Sequence, residues 1–274
     1  MRKDASVVNR SIKAVFFDVD GTLFSHELNA VPDSTRRALA QLRKRGIQAV
    51  VATGRHMVEY STLPVSDIDF DAYLTLNGQL ILDSDRKAYA GTCIDPGEME
   101  VLSRIFQAKR IPFVLIGENE RYINYVDSTV IRTQAETKGA IPEIGEYKGE
   151  KVYQIIAFVP EKQKKLLDGL LDECSVTSWN ETGIDIIPKG GGKSAGIEKY
   201  IREHGIDRSE IMAFGDGEND VDMLQYAGVG VAMGNACDKV KAVADYVTDT
   251  VENDGIEKAL RHFGLIDCAG EEKK

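Results

Sequence analysis

The sequence is poor in the residues that mark secreted or zinc-binding proteins. It contains four cysteines in 274 residues, with no CxxC pair and no histidine at a metal-ligand spacing from any of them. Their positions are Cys93, Cys174, Cys237 and Cys268. This spacing argues against a disulfide framework and against a zinc site, and we expect a reduced, cytoplasmic setting.

Long apolar runs are also missing. The longest stretch without a charged residue, Met223 to Cys237, includes Gln225 and Asn235. Because a helix that spans a bilayer needs about 20 mostly apolar residues, no transmembrane helix is expected. The first residues carry several charges and no apolar core, so no secretory signal is expected either.

An excess of positive charge is absent as well. Asp and Glu number 44 against 34 Lys and Arg, which gives a formal net charge of -10. Nonspecific binding to nucleic acid or to an anionic membrane requires clustered basic residues, so neither partner is expected. With 43% hydrophobic and 28% charged residues, the composition is that of a globular protein. Such a protein can still bind a phosphorylated metabolite if it gathers a few cations, and a metal, at one place.

The two ends of the chain predict one α/β domain. Apolar runs at Ala14–Phe17, Gln48–Ala52 and Ala72–Leu76 predict strands, and a helix capped by Asp33 or Ser34 separates the first two. The same alternation returns from residue 194 to residue 232. Strands joined through helices form βαβ units, so we predict a parallel, Rossmann-like sheet.

The middle of the chain predicts an inserted α+β domain. Short strand patterns dominate there, with helices expected at Glu98–Arg110, near Val130 and at Glu161–Glu173. Asn77-Gly78 predicts a hairpin before it. We therefore assign residues 84–187 to the insert, and residues 1–83 and 188–274 to the core.

The first chemical motif is Asp18-Val19-Asp20-Gly21-Thr22, at the end of the first strand. Open α/β sheets bind ligands at this edge, and two carboxylates so close together can share a divalent cation. A plain turn explains the motif about equally well. An EF-hand loop is excluded, because Gly21 is at the fourth position of the motif instead of the sixth.

The second motif, Thr53-Gly54-Arg55, also follows a strand. It offers a hydroxyl and backbone N–H groups to an oxyanion. An ordinary helix cap is the alternative.

The third motif is Lys193, which follows three glycines. A Walker A loop is excluded, because its first glycine would fall on Ile187. A lysine at a helix start can offset phosphate or carboxylate charge, although a solvated linker lysine would look the same.

The fourth motif places Asp216, Glu218, Asn219 and Asp220 within five residues of a strand end. Crowded carboxylates repel one another unless a cation lies among them, which favours a ligand site over a plain loop. Asp222, just beyond, is expected at the surface.

In this order and spacing, the four motifs resemble those of the haloacid dehalogenase (HAD) superfamily, specifically the Cof-type phosphatases of subclass IIB. The similarity extends from Lys13 to Leu265 and includes Leu76-Asn77-Gly78 and the stretch from Gly228 to Ala236. It implies a HAD Rossmann-like core in which residues 84–187 form a large C2-type α/β cap over the catalytic end of the sheet. Within the cap, the segment Trp179–Asp185 is rich in hydrogen-bonding side chains, and we expect part of it to face the hydroxyls of the leaving group. An ordinary hairpin turn at Glu181-Thr182-Gly183 is the alternative.

The resemblance also implies a reaction. The protein would be a Mg²⁺-dependent phosphatase of small phosphorylated metabolites, sugar phosphates first, that forms an aspartyl phosphate. Asp18 would be the nucleophile, and Asp20 would be the general acid and base. The metal would be held by the carboxylates of Asp18 and Asp216 and by the backbone carbonyl of Asp20.

The remaining site residues follow from the same resemblance. Thr53, the Gly54 N–H and Asn219 would bind phosphate, Lys193 would offset its charge, and Asp220 would position the lysine. Arg55 and Asn77 also match the family pattern, but packing or capping explains them nearly as well. His26, His56, His204 and His262 are all expected at the surface.

Two other functions remain open. A phosphomutase would move phosphate between positions of one sugar. A non-catalytic, metal-dependent regulatory protein could use the same scaffold, although intact Asp18, Asp20 and Lys193 argue against it. The sequence leaves the oligomeric state open, and a monomer is compatible with it.

Overall fold

The computed structural model describes residues 11–136, 139–159, 171–178 and 182–267, which form two compact units. One unit contains the described residues up to Tyr89 and from Gly192 onward, and the other runs from Ala90 to Gly191. The domain boundaries at residues 84 and 187 stay a prediction. No helix in these ranges has the length and apolar character needed to cross a membrane.

The strands are numbered along the described chain. They are β1 Ala14–Phe17, β2 Gln48–Ala52, β3 Ala72–Thr75, β4 Leu80–Asp83, β5 Ala88–Gly91, β6 Phe113–Ile116, β7 Arg121–Ile123, β8 Gln154–Phe158, β9 Cys174–Ser178, β10 Gly183–Pro188, β11 Ile211–Gly215, β12 Val229–Ala232 and β13 Tyr246–Val247.

The α-helices are numbered in the same way. They are α1 Asp33–Lys44, α2 Met57–Tyr60, α3 Pro96–Gln107, α4 Ser128–Glu136, α5 Lys193–Glu203, α6 Val221–Tyr226, α7 Asp238–Val243 and α8 Gly255–His262. Short 3-10 helices cover Pro64–Asp67, Arg208–Glu210, Glu218–Asp220 and Val251–Asn253.

The main sheet of the first unit has the strand order β13-β12-β11-β1-β2-β3-β4-β5 within the described ranges. The strands from β13 to β3 are parallel, as predicted, and β4 pairs with β3 antiparallel. The chain leaves β1 toward β2 and β3, and later returns to β11 on the other side of β1. The carboxyl ends of β1 and β11 therefore form a topological switch point, where α/β sheets bind ligands.

Strand β1 is buried on both faces, as its continuous apolar sequence predicts. The Phe17 ring stacks on Phe214 of β11 at a centroid distance of 5.2 Å. On the other side, Phe16 meets the Tyr200 ring of α5 edge-on at 5.7 Å. These contacts pack strand and helix around the point where the first acidic motif begins.

Helix α1 has the predicted buried stripe but lacks the predicted cap. Ala38, Leu39 and Leu42 are buried, as expected from their spacing. Neither Asp33 nor Ser34 caps the helix, because Pro32 occupies the N-cap position and no side chain there accepts a hydrogen bond from the first turn. Asp33 is the first helical residue, where its negative charge favours the helix dipole.

The predicted hairpin after β3 is confirmed, and its turn is unusual. Leu76, Asn77 and Gly78 all have positive φ, at 53°, 55° and 83°. A Cβ added to Gly196 of α5 would lie 2.7 Å from the Gly78 Cα, so turn and helix meet backbone to backbone. Only glycine permits this approach.

This close approach gives a test of the packing. In a helix interior, Gly to Ala normally stabilises by about 1 kcal/mol. We expect Gly196→Ala to have the opposite sign, because its methyl group overlaps the turn. The expected loss is about 1–3 kcal/mol in the free energy of unfolding, measured with urea. Glu198→Ala, at an exposed position of the same helix, is the control, and a G196A protein at least as stable as wild type would contradict the contact.

The second unit has its own antiparallel sheet, in the order β7-β6-β8-β10-β9 over its described residues. Leu102 and Phe106 of α3 pack with Phe113, Ile155 and Ile186 of the sheet into a buried core. This arrangement confirms the predicted α+β character. The helices expected at residues 98–110 and near Val130 are α3 and α4.

Two predictions for this unit fall partly outside the described residues. Most of the helix expected at Glu161–Glu173 and the residues Trp179, Asn180 and Glu181 lie there.

Candidate active site

The carboxyl ends of three neighbouring strands bring the motifs together. Asp18 follows β1, and its N–H donates to the Phe214 carbonyl of β11 at 3.0 Å. Thr53 follows β2, and its N–H donates to the Leu74 carbonyl of β3 at 2.8 Å. Lys193 is the first residue of α5. Residues far apart in sequence thus meet at the switch point.

Lys193 lies between two buried carboxylates. Its Nζ is 2.5 Å from Oδ1 of Asp18 and 2.5 Å from Oδ1 of Asp220. The Lys193 and Asp220 side chains are fully buried, and that of Asp18 is nearly so. A buried charge without a partner is very costly, so each of these ions depends on the others. The solvated linker lysine is therefore excluded.

Burial and neighbouring charges both shift the pKa values of the groups at this site. Burial raises the pKa of Asp18 well above its usual value, and Asp220 adds to this while Lys193 opposes it. Burial also raises the pKa of Asp216 to about 6, with a further contribution from Asp220. Burial alone would lower the pKa of Lys193, but Asp18 and Asp220 outweigh it and raise that pKa. One ammonium among three acidic groups leaves a site suited to a further cation.

The acidic cluster offers oxygen ligands at suitable distances. Carboxylate oxygens of Asp18, Asp216 and Asp220 all lie within 4.8 Å of one another. In Asp220, Oδ1 accepts from Lys193, and Oδ2 accepts from the N–H groups of Asp216 and Gly217 at 2.9 and 2.8 Å. Both oxygens of Asp220 thus hold the lysine and the loop, and a cation bound to this cluster would contact Asp18 and Asp216. An all-oxygen set of this kind fits a hard divalent cation.

The Asp20 carboxylate is paired with Arg55 and not with Lys193. Arg55 binds both of its oxygens, with Nε–Oδ2 at 2.6 Å and Nη2–Oδ1 at 2.7 Å. His26 Nε2 lies 2.9 Å from Oδ1. Burial would raise the pKa of Asp20, but Arg55 and His26 outweigh it and lower that pKa. Asp18 and Asp20 therefore sit in opposite electrostatic surroundings, although one residue separates them.

The predicted phosphate-binding residues lie beside the hairpin turn. The Thr53 hydroxyl oxygen accepts from the Arg55 N–H at 3.1 Å, so its own proton can be donated elsewhere. A Cβ on Gly54 would lie 3.1 Å from Oδ1 of Asn77. Asn219 Nδ2 donates to the same Oδ1 at 3.1 Å. Asn77 therefore lies against both Gly54 and Asn219.

Asp222, expected at the surface, is half-buried and has a structural partner. Its Oδ2 accepts from the N–H and the Oγ–H of Ser194, at 2.9 and 2.8 Å. Helix α5 begins after Gly192, which has no side chain to cap it, so Asp222 satisfies the exposed first turn from another element. A glycine at the N-cap position has no side chain to cap its own helix. In the sequence, it therefore indicates that a residue from another element caps the first turn.

Asn235, which has no predicted role, contacts the metal-ligand candidate Asp216. Its Nδ2 donates to the Gly21 carbonyl at 2.8 Å and to Oδ2 of Asp216 at 3.1 Å, and its Oδ1 accepts from the Val251 N–H at 3.2 Å. Thr22 donates to the other oxygen of Asp216 at 3.1 Å. Both oxygens of this carboxylate are thereby oriented. Asn235 closely follows β12, a buried strand that lies beside β11. A polar residue after such a strand is the feature of the sequence that could have predicted its place near Asp216.

The histidines divide into two groups. His204 and His262 are exposed, as expected, and so is His26, although it contacts Asp20. The surface prediction is wrong for His56, which is 1% exposed. His56 forms the N-cap of α2, where its Nδ1 accepts from the Val58 N–H.

Comparison with known proteins identifies the family. The family model for haloacid dehalogenase-like hydrolases matches residues 15–260. The chain belongs to this family. The HAD hydrolase is 31% identical over 258 residues to the putative phosphatase YkrA of Bacillus subtilis, covering 93% of this chain and 98% of that protein.

Solved structures place the HAD hydrolase among phosphatases. The phosphatase BT1666 from Bacteroides thetaiotaomicron is 32% identical, with a TM-score of 0.84 over 94% of this chain and 97% of that one. The subclass IIB sugar phosphatase BT4131 is 32% identical, with a TM-score of 0.81 over 93% and 100% of the two chains. These findings confirm the Cof-type HAD family, the α/β fold class and a phosphoric monoester hydrolase.

The buried ion triad of the HAD hydrolase can be tested by removing its cation. Lys193→Met leaves Asp18 and Asp220 as a close pair of buried carboxylates, and we expect a loss of about 3–5 kcal/mol in the free energy of unfolding at pH 7. Urea titration measures it.

Lys239→Met is the control, because the Lys239–Glu218 pair is mostly exposed on both sides. We expect its unfolding midpoint to stay close to that of wild type. Equal effects of the two substitutions would mean that the buried triad does not stabilise the fold.

Proposed function

We propose that this HAD hydrolase is a Mg²⁺-dependent phosphatase that releases phosphate from small phosphorylated metabolites, with sugar phosphates as the foremost class. The observation that carries the proposal is the buried Lys193, whose ammonium lies 2.5 Å from a carboxylate at the switch point of the sheet. A carboxylate cannot approach a phosphate dianion unless cations offset the repulsion. A unit charge at about 4 Å contributes roughly 4 kcal/mol when the effective dielectric constant is near 20.

In the first step of the proposed reaction, an Asp18 oxygen attacks phosphorus. The new O–P bond forms as the ester P–O bond breaks, and Asp20 gives the leaving alcohol a proton that it has first taken up from solvent, against the pKa-lowering effect of Arg55 and His26. In the second step, Asp20 takes a proton from water, which attacks the aspartyl phosphate and releases inorganic phosphate and free Asp18. Arg55 and His26 hold the Asp20 side chain, with the Arg55 contacts at 2.6 and 2.7 Å.

The proposed metal ligands are the carboxylates of Asp18 and Asp216 and the backbone carbonyl of Asp20. When bound, Mg²⁺ supplies positive charge against the phosphate oxygens. Thr22 and Asn235 orient the Asp216 carboxylate, each at 3.1 Å. Asp220 serves as the anchor for Lys193 and for the loop.

Thr53, Gly54 and Asn219 are the proposed phosphate-binding groups. The Thr53 oxygen accepts a hydrogen bond from the Arg55 N–H, so the hydroxyl proton of Thr53 is available to be donated to phosphate. The Gly54 N–H and the Asn219 amide offer neutral donors. Lys193 contributes the fixed positive charge on the side of Asp18.

The relatives support the proposed substrate class. A Bacillus subtilis relative that is 31% identical over 93% of this chain is named a 5-amino-6-(5-phospho-D-ribitylamino)uracil phosphatase. An Escherichia coli relative, 30% identical over 90% of this chain, is named a pyridoxal phosphate phosphatase. Together with the sugar phosphatase, they act on small phosphate monoesters. A screen of all three classes for released phosphate tests the proposal, whereas a phosphomutase would convert hexose phosphates without releasing phosphate.

The nucleophile assignment predicts a large effect from a small change. Asp18→Asn keeps the shape of the side chain but removes the attacking charge, so we expect a folded protein without measurable turnover. Asp20→Asn should be nearly as inactive. Asp238→Asn, at an exposed position of α7, is the control. A folded D18N protein with more than about a tenth of the wild-type rate, a barrier change under ~1.4 kcal/mol, would contradict covalent catalysis by Asp18.

The metal assignment predicts reversible inactivation. EDTA should abolish phosphate release, and added Mg²⁺ should restore it. Ca²⁺ should restore less, because it prefers six to eight ligands at longer distances and loosens the geometry around Asp18. Initial rates across a metal titration measure the effect, and full activity in EDTA would remove the metal from the mechanism.

A further inference from the structure

The turn between β3 and β4 contains two successive non-glycine residues in the left-handed region. Leu76 has φ 53° and Asn77 has φ 55°. Non-glycine residues rarely adopt this conformation, and a strained backbone persists only where its surroundings hold it in place. Because such strain clusters at functional sites, the turn calls for an explanation beyond chain reversal.

The surroundings that hold the turn are the backbone groups around Gly54. The Asn77 N–H donates to the Thr53 carbonyl at 2.9 Å, and the Leu76 N–H donates to the Arg55 carbonyl at 3.2 Å. The turn is therefore bonded to the residues on both sides of Gly54. Any displacement of the turn would move the proposed phosphate-binding segment with it.

The Asn77 side chain extends this connection to the fourth motif. Asn77 is buried, and its Oδ1 accepts from Nδ2 of Asn219 at 3.1 Å. The Asn219 amide group has two N–H protons and one carbonyl oxygen. With one proton held by Asn77, the amide is fixed in orientation. An amide rotated by half a turn would place its oxygen against Oδ1 of Asn77, which is repulsive.

We propose that Asn77 is a positioning residue for phosphate binding, acting through Asn219 and through its backbone bond to Thr53. This inference rests on the proposed function. Its Oδ1 selects the Asn219 orientation that presents an N–H, and not a carbonyl oxygen, to an anion. Asn77 thereby joins the second and fourth motifs without itself touching the reacting atoms.

A purely structural role for Asn77 makes a different prediction. If the residue only formed the turn, glycine would serve at least as well, because glycine adopts positive φ without strain. Asn77→Gly thus keeps the backbone conformation and removes only the side chain. Asn29→Gly is a matched control, since Asn29 also has positive φ, at 50°, but lies on an exposed loop.

The experiment measures binding of inorganic phosphate by calorimetry in the presence of Mg²⁺, and hydrolysis of p-nitrophenyl phosphate. We expect N77G to fold, to bind phosphate about tenfold more weakly and to show its loss in KM more than in kcat, because one oriented hydrogen bond to an anion is lost. N29G should match the wild-type protein in both assays. Urea unfolding verifies that each variant is folded.

A double-mutant cycle with Asn219→Ala tests whether Asn77 acts through Asn219. Asn219→Ala removes the same side-chain contact from the other partner and leaves the residues of the turn unchanged. If Asn77 acts through Asn219, N77G should change phosphate affinity much less in the N219A background than in wild type. Phosphate affinity of N77G equal to wild type, or fully additive effects in the cycle, would overturn the inference.

The outcomes also separate this inference from the proposed function. A wild-type protein that neither binds phosphate nor hydrolyses any tested ester would refute the proposed function. A wild-type protein that does both, with an unchanged N77G variant, would refute only the role of Asn77.

Discussion

The site depends on one buried ammonium group. Lys193 is held between Asp18 and Asp220, and each of the three ions would be costly to bury without the others. Lys193 opposes the effect of burial on the pKa of Asp18 and so favours the ionised form that the proposed attack requires. One ammonium among the acidic groups Asp18, Asp216 and Asp220 also leaves room for a further cation, which is the basis of the proposed metal site.

Several features of the fold serve to hold that ammonium group in place. Asp222 supplies the cap that Gly192 lacks at the start of α5, directly beside Lys193. Gly196 lets the hairpin turn pack against the same helix. The acidic loop is fixed from the other side, because Asp220 accepts two of its backbone N–H groups. Direct contacts therefore join α5 to the hairpin turn, and Lys193 of α5 to the acidic loop through Asp220.

Much of the fold could be read from local patterns. The run Ala14–Phe17 is buried on both faces, as a continuous apolar strand in a parallel sheet must be, and Asn77-Gly78 does form a hairpin. Capping was harder to predict. Pro32 displaces the expected cap of α1, and His56 caps α2 where a surface histidine was expected. A cap depends on which side chain reaches an exposed N–H group, and sequence spacing constrains that only weakly.

The sequence by itself determined which residues are available for chemistry, because carboxylates placed directly after apolar strands must emerge at one edge of a parallel sheet. The tertiary structure decided how they differ. Asp18 faces Lys193 while Asp20 faces Arg55, although their carboxylates leave the same short segment. Partners such as Asn235 are brought in by strand order, since β12 lies beside β11. Contacts between residues so distant along the chain arise only when the sheet is assembled, and no local pattern records them.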